Sequence, residues 1–199
     1  IIVGVVVFLS RRNERAGQIG PVVLGLGVMI LALQLIAAAT MPLAQGAGVK
    51  TLFAQISGDL MLDVLLGVIL ALLCYSSLAV VLLVATLAGS NVIPAHVALP
   101  LVLGANLGSG LLALFTMWRA DAVTRRVPLG NFLFKVIGVS LVLVALPFAT
   151  PWVQTLQINP RDLVVYFHLA FNVALALLLL KFTDRIAALT ERWLPESAD

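Results

Sequence analysis

Long apolar segments separated by short polar breaks organise this chain. The longest stretch without Asp, Glu, Lys or Arg runs from Val64 to Trp118, which is 55 residues. Soluble domains do not leave so long a stretch uncharged, whereas a membrane-spanning helix needs about 20 consecutive apolar residues. The pattern therefore predicts an all-α polytopic membrane protein.

The apolar segments predict about five membrane helices and one shorter pair. They are a truncated helix at 1–9, a spanning helix at 20–44, an apolar pair at 60–73 and 78–89, and helices at 96–118, 128–148 and 162–181. The punctuation between them includes Gly46 to Gly48, Pro128, Pro147 to Pro151 and Asn159-Pro160. Asp59 and Asp63 begin the first arm of the pair, where carboxylates favour a helix N-terminus. The tail, 183–199, is amphipathic and typical of a segment at the membrane surface.

The distribution of Lys and Arg decides how the short pair is interpreted, because loops rich in these residues stay in the cytoplasm. Three loops are basic. They hold Arg11, Arg12 and Arg15; Arg119, Arg125 and Arg126; and Lys181, Arg185 and Arg192. All three face the cytoplasm only if 60–89 enters and leaves the membrane on the same side. The pattern therefore favours a re-entrant helical hairpin with its tip at Cys74 to Ser77, and an inner-membrane location with cytoplasmic basic loops.

Composition limits the class of protein and the partners that we expect for it. Hydrophobic residues make up 62% of the chain and charged residues 11%, against roughly 25% charged residues in soluble domains. This leaves no room for a second, soluble domain, and the basic residues lie beside helix ends, so we expect no nucleic-acid partner. Cys74 has no partner for a disulfide. Positive charges follow Ile1 to Leu9 instead of preceding it, so we expect this segment to be the end of a truncated helix.

Small polar residues interrupt the uncharged run twice, at Cys74-Tyr75-Ser76-Ser77 and at Gly104-Ala105-Asn106-Leu107-Gly108-Ser109-Gly110. Non-helical backbone at bilayer depth is tolerated only where it is buried in protein or lines a watery cavity. We expect a broken helix at 104–110 to meet the hairpin tip near the midplane. Half-helices beginning near Ser77 and Ser109 would present N–H groups to an oxyanion. Freed carbonyls, serine hydroxyls and the Asn106 amide oxygen could bind sodium.

At these residues the chain resembles the sodium/phosphate cotransporter family, whose repeat carries a Gln-Ser-Ser-Ser-Ala tip followed by Gly-Ala-Asn-Ile-Gly-Thr-Thr. The matching stretches here are Tyr75-Ser76-Ser77-Leu78-Ala79 and 104–110, with later similarity at 125–134 and 167–172. The resemblance covers about 17–182. Tyr75 stands where the family has glutamine, Leu78 removes a hydroxyl, and Ser109-Gly110 replaces the threonine pair.

The resemblance implies one half of an inverted-repeat transporter that moves inorganic phosphate with sodium by alternating access. The other repeat would be a missing N-terminal half or a second protomer, and a PhoU-like domain is a further expected partner. Phosphate would contact Ser76, Ser77, Asn106, Gly108 and Ser109. Sodium, the only expected cofactor, would contact Ser76, Ser77, Gly104, Asn106 and Ser109.

Structural interpretations stand beside these functional ones. Ser76 and Ser77 could bond to the carbonyl one turn earlier, and Gly104, Gly108 and Gly110 could serve close helix packing.

Four further polar residues form a possible secondary set, namely Tyr75, Lys135, Asn131 and His168. Lys135 either snorkels to the cytoplasmic face or acts as a phosphate counter-charge. An interhelical hydrogen bond explains His168 better than proton relay, and Asn131 and Asn172 are expected to make polar contacts between helices. Tyr75 belongs to this set because it lies at the predicted hairpin tip.

Two other function classes remain open. The chain could be a structural or regulatory membrane subunit that transports nothing, or a transporter of another small anion. A membrane-embedded enzyme acting through Ser76 or Ser77 is disfavoured, because no general base is placed nearby and no catalytic signature is present.

Overall fold

A computed structural model describes residues 1–9, 14–48, 51 and 59–196 of the chain. The described part of the chain is 87% helical and contains no strand, which confirms the all-α prediction. The helices are α1 (Ile2–Leu9), α2 (Glu14–Gln45), α3 (Leu60–Cys74), α4 (Ser77–Gly89), α5 (Ala95–Thr116), α6 (Ala122–Thr155), α7 (Pro160–Leu179) and α8 (Thr183–Trp193). Arg11, Arg12 and most of the segment between the predicted helices at 20–44 and 60–73 lie outside the described residues.

Three helical segments of the described chain are long and apolar enough to cross a membrane. They are Ala95–Thr116, Ala122–Val153 and Pro160–Trp193, the last of which continues from α7 through a 3-10 turn at Leu180–Phe182 into α8. Large apolar side chains on α6 and α7 are exposed, among them Val144, Phe148 and Leu177. An exposed apolar surface of this extent fits a lipid environment.

Local side-chain chemistry sets the ends of α3 and α4. The Asp59 carboxylate accepts the backbone N–H groups of Met61 at 2.8 Å and Leu62 at 3.2 Å, as an N-cap residue does. Tyr75 ends α3 in the left-handed region with φ 51°, and the Ser76 hydroxyl then caps α4 by accepting the N–H of Ala79 at 3.2 Å. The prediction of two short helices is therefore confirmed, whereas their re-entry into a bilayer stays a prediction.

Helices α3 and α5 pack most closely of all the described pairs, and they run parallel. A Cβ added at Gly104 would overlap the carbonyl oxygen of Val64, and one added at Gly67 would overlap that of Leu101. A Cβ at Gly108 would lie 2.8 Å from Val68 O. Small residues that bring two backbones together are a common means of packing membrane helices. The packing interpretation of Gly104 and Gly108 is thus what the structure shows.

Helix α4 completes a buried centre with α3 and α5. Its residues Val80, Val81 and Val84 are almost fully buried and join a cluster that includes Val97 on α5 and Val164 on α7. Gly89, at the end of α4, lies against the Arg161 side chain at the start of α7. Helices α6 and α7 flank this centre, and α6 runs antiparallel to α5, because Phe132 and Lys135 lie beside Gly110 while Val139 packs with Leu103.

Two predicted boundaries, at Pro128 and at Pro147 to Pro151, were wrong, and the start at Asn159-Pro160 was correct. Pro128, Pro147 and Pro151 lie inside α6 instead of marking its ends, since proline is tolerated within membrane helices. The start at Asn159-Pro160 is confirmed, since the Asn159 side chain accepts the Arg161 N–H at 2.9 Å. The tail forms amphipathic α8, and Arg126 of α6 donates to Leu194 O at 3.1 Å just beyond it.

Candidate functional site

The predicted break in the fifth helix is wrong. Residues 104–110 are helical within an unbroken α5, so no half-helix begins at Ser109. The hairpin tip also does not come level with Asn106. Tyr75 shares a cavity with Leu112, Phe115 and Thr116 of the last turns of α5, because α3 runs parallel to α5 almost to its end. The tip and the Gly-Ala-Asn stretch therefore do not meet as predicted.

Asn106 is the centre of a polar cluster between α5 and α7. Its side chain is only 1% exposed. Its Nδ2 donates to Val102 O at 2.9 Å and lies 3.1 Å from His168 Nδ1, while its Oδ1 accepts from Asn172 Nδ2 at 3.0 Å. Both amide hydrogens and the amide oxygen are thus engaged. Asn106 joins the two helices and does not face an open space.

The geometry fixes the hydrogen-bonding role of His168. An amide nitrogen can only donate, so His168 Nδ1 accepts from Asn106 and the neutral ring carries its proton on Nε2. Asn172 Nδ2 also donates to His168 O at 2.8 Å. The expected interhelical hydrogen bonds of His168 and Asn172 are therefore confirmed.

Lys135 extends the cluster to α6. Its Nζ donates to Ser109 Oγ at 2.6 Å, and Ser109 Oγ in turn donates to Asn106 O at 2.8 Å. Gly110 makes room for this side chain, since a Cβ there would lie 3.2 Å from Lys135 Cδ. The ammonium group thus points toward α5 and is held within the protein.

An open cavity of about 310 Å³ lies beside Lys135. Its polar lining combines the lysine with Asn131 and Asn172 from two helices and Thr183 from the start of α8; its apolar lining includes Phe134, Leu175 and Ala176. The Lys135 ammonium and the Asn131 amide are donors of the kind that hold a small oxyanion. The Asn172 amide already donates to Asn106 Oδ1 and His168 O, and the Thr183 hydroxyl donates to Leu180 O. The sequence suggests a secondary role for Lys135 and Asn131 and only an interhelical contact for Asn172, but the structure brings all three to one cavity.

The remaining predicted site residues lie elsewhere. Ser76 caps α4, Ser77 is the first residue of that helix, and both are partly buried. Tyr75 is 74% exposed at the tip. Within the described chain, no hydrogen bond joins these three residues to the Asn106 cluster.

The model of the Na+/Pi-cotransporter family matches residues 38–159. The chain is 47% identical to the “Putative inorganic phosphate export protein YjbB” of Salmonella typhimurium over 195 residues, which cover 96% of this chain and 35% of that protein. The protein of the same name from Escherichia coli is also 47% identical over 190 residues, covering 94% of this chain and 34% of the relative.

A more distant relative also matches nearly the whole chain. The “Uncharacterized protein YqeW” of Bacillus subtilis is 26% identical over 98% of this chain and 63% of its own length. The chain thus spans about a third of the YjbB relatives that it matches. No solved structure matched the chain.

Proposed function

Because the chain belongs to the Na+/Pi-cotransporter family, we propose that it is part of a membrane transporter that moves inorganic phosphate together with sodium. The observation that carries this proposal is the Lys135 ammonium, which is held by Ser109 at 2.6 Å beside a polar cavity. A lysine in a membrane helix costs roughly 2.5–3.5 kcal/mol on insertion scales. Attraction for an anionic substrate is a physical reason to retain it.

The phosphate site is assigned to the cavity beside Lys135. Lys135 would supply the counter-charge, and the amide of Asn131 would donate to phosphate oxygens. Asn172 would shape the cavity wall, because its two amide hydrogens are donated to Asn106 Oδ1 and His168 O. Asn106 and His168 would act as positioning residues, since their hydrogen bonds hold Asn172 in place. Ser109 would shift between Lys135 and the substrate, because a hydroxyl can accept from one and donate to the other.

Residues 17–182 are proposed as one of the two repeats of an alternating-access transporter in the inner membrane. The hairpin of α3 and α4 would be re-entrant, because 15 and 13 residues reach only about 22 and 20 Å at a rise of about 1.5 Å per residue, short of the roughly 30 Å hydrocarbon core. Ser76 and Ser77 would then face the second half of the transporter and complete its sodium site.

Labelling tests the re-entrant hairpin. In a cysteine-free background, Asp59→Cys and Asn91→Cys place single thiols at the two outer ends of the pair. A membrane-impermeant maleimide should label both from the same side of the membrane. Labelling from opposite sides would mean that the pair crosses the bilayer, and the proposed topology would be wrong.

Transport assays test the function. The full-length protein in proteoliposomes should carry radiolabelled phosphate in a sodium-dependent manner, measured as both uptake and efflux because gradients set the direction of a symporter. Lys135→Gln should reduce the rate at least tenfold, and Ser76→Ala combined with Ser77→Ala should do the same. Lys181→Gln, an exposed lysine outside the cavity, is the matched control.

Each negative result has its own meaning. Normal transport by Lys135→Gln would show that phosphate does not bind in the cavity beside Lys135. Normal transport by the double serine variant would show that the hairpin tip is not part of the sodium site. Transport of another anion in place of phosphate would mean that the substrate is that anion. No transport of any anion by the wild-type protein would favour a structural or regulatory subunit.

A further inference from the structure

A buried carboxylate lies at the other end of the molecule from Lys135. Asp63 belongs to the first turn of α3 and is only 2% exposed. Its Oδ1 is buried and has no hydrogen-bond partner among the described residues. A buried ionised group without a partner is costly. Asp59, four residues earlier, already caps the helix, so helix capping does not explain Asp63.

Asp63 lines a cavity of about 290 Å³ whose other walls come from α5 and α6. The lining residues are Leu60, Asp63, His96, Leu146, Pro147 and Thr150. His96 and Pro147 are exposed, so the cavity is open to its surroundings. Pro147 lies 12 residues from Lys135 along α6, which is about 18 Å at the helical rise, so this cavity is separate from the one at Lys135.

Two prolines leave carbonyl groups free at this cavity. Pro151 has no N–H to donate to Pro147 O, and Pro100 has none to donate to His96 O, because each is four residues beyond that carbonyl within its helix. Both carbonyls therefore belong to residues that line the cavity. The Thr150 hydroxyl donates to Leu146 O at 2.7 Å, which leaves its oxygen lone pairs available.

We infer that Asp63, Thr150 and the freed carbonyls of His96 and Pro147 form a binding site for a monovalent cation, with sodium as the fitting ion. Carboxylate, hydroxyl and carbonyl oxygens are hard ligands. One carboxylate balances one positive charge, and the described residues contain no cluster of three or more His, Cys, Asp or Glu that would suit a divalent metal. The cavity also has room for water molecules to complete the coordination.

A role for this cation as a second coupled ion, beside the sodium assigned to Ser76 and Ser77, rests on the proposed transport function, whereas its binding does not. Binding is measured with the purified full-length protein in detergent, as the melting temperature during a titration with sodium chloride at constant ionic strength maintained by choline chloride. A ligand that binds only the folded state raises the melting temperature in a saturable manner. We expect sodium to do so at lower concentration than potassium.

Asp63→Asn should abolish this stabilisation or move its midpoint at least tenfold. Asp59→Asn is the matched control, because it removes a neighbouring carboxylate while asparagine still caps the helix, and it should respond as the wild-type protein does. Thr150→Val should raise the midpoint by a smaller factor. This second variant keeps the test decisive if Asp63→Asn does not fold.

Three results would overturn the inference. They are a wild-type protein that responds equally to sodium, potassium and choline, an Asp63→Asn variant with an unchanged midpoint, and, where that variant fails to fold, a Thr150→Val variant with an unchanged midpoint. Lys135→Gln should keep its response to sodium. Loss of phosphate transport with sodium binding intact would therefore count against the phosphate site and not against this one.

Discussion

Two faces of α5 use the same seven-residue stretch in opposite ways. Toward α3, Gly104 and Gly108 remove side chains so that two backbones touch. Toward α6 and α7, Asn106 and Ser109 carry the hydrogen bonds that reach Lys135, His168 and Asn172. One face is closed and apolar, and the other is polar and bonds to Lys135 and Asn172, which line the cavity.

The difference indicates how stability and function are divided within one helix. Two backbones in contact cannot move apart without shifting a whole helix. The glycine face should therefore tolerate almost no substitution by a larger residue. The polar face depends on side chains that can move, and hydrogen bonds between membrane helices average only about 0.6 kcal/mol each. We therefore expect mutations on the glycine face to affect folding and those on the polar face to affect transport.

Gly104→Ala should have the largest effect on stability. The new Cβ would overlap Val64 O, and overpacking typically costs about 1–3 kcal/mol and sometimes more. We expect a loss at or above the upper end of that range, seen as aggregation on size-exclusion chromatography or a much lower melting temperature. Gly25→Ala is the control, because nothing lies within 4 Å of its Cβ position. Equal behaviour of the two variants would contradict the close contact.

Asn106→Ala should destabilise the protein less. The change removes the Asn106 partner of His168 Nδ1 and of Asn172 Nδ2, while Asn172 keeps its bond to His168 O. Measured interhelical hydrogen bonds reach at most about 1.7 kcal/mol. We expect the melting temperature to fall by less than in Gly104→Ala, while phosphate transport falls at least tenfold as Asn172 loses its anchor. A wild-type rate of phosphate transport in this variant would show that the hydrogen bonds of Asn106 do not support the phosphate site.

Gly110→Ala tests the same substitution on the other face. Its Cβ would meet Phe132 Cδ2 at 3.1 Å and Lys135 Cδ at 3.2 Å, and both side chains have some freedom to move. The expected loss is below about 1 kcal/mol, at the low end of the cost of overpacking. Thermal unfolding beside Gly104→Ala measures the contrast. A comparable loss in both would mean that the two faces are equally rigid.

Lys135→Met should have the smallest effect on stability. The substitution removes a charge that is costly in the membrane and keeps much of the apolar stem. We expect an unchanged or slightly higher melting temperature together with loss of phosphate binding, measured by equilibrium binding of labelled phosphate. A large fall in melting temperature would show that Lys135 has a structural role.

The Gly-Ala-Asn stretch shows where sequence reasoning reached its limit. Its glycines and asparagine predict a break by local propensity, since glycine costs about 1 kcal/mol in a helix interior. Tertiary packing reverses that preference, because Gly104 and Gly108 gain a close contact with α3 that a larger residue would prevent. The sequence shows that the stretch is unusual for a membrane helix, but local sequence does not reveal which neighbouring helix a glycine faces.

Other elements were more predictable. The two arms at 60–73 and 78–89 and the start at Asn159-Pro160 follow from capping residues and apolar runs, which act locally. The cavity beside Lys135 depends on residues from α6, α7 and α8 whose proximity is set only by the fold. Asp63 was explained as a helix-end charge, and only its burial reveals otherwise. Its one sequence signal is a carboxylate placed after the apolar arm has begun.

The length of α6 also determines how the protein meets the two edges of the bilayer. Its 34 residues extend about 51 Å, well beyond the roughly 30 Å of the hydrocarbon layer. Trp118, which is 66% exposed and lies under Arg125 at 5.2 Å, marks one end, and Trp152, 77% exposed, marks the other. From Arg125 to Trp152 the helix covers about 40 Å, close to the full thickness with headgroups. These aromatic anchors would fix the depth of the helix, so a thinner membrane would be met by tilting.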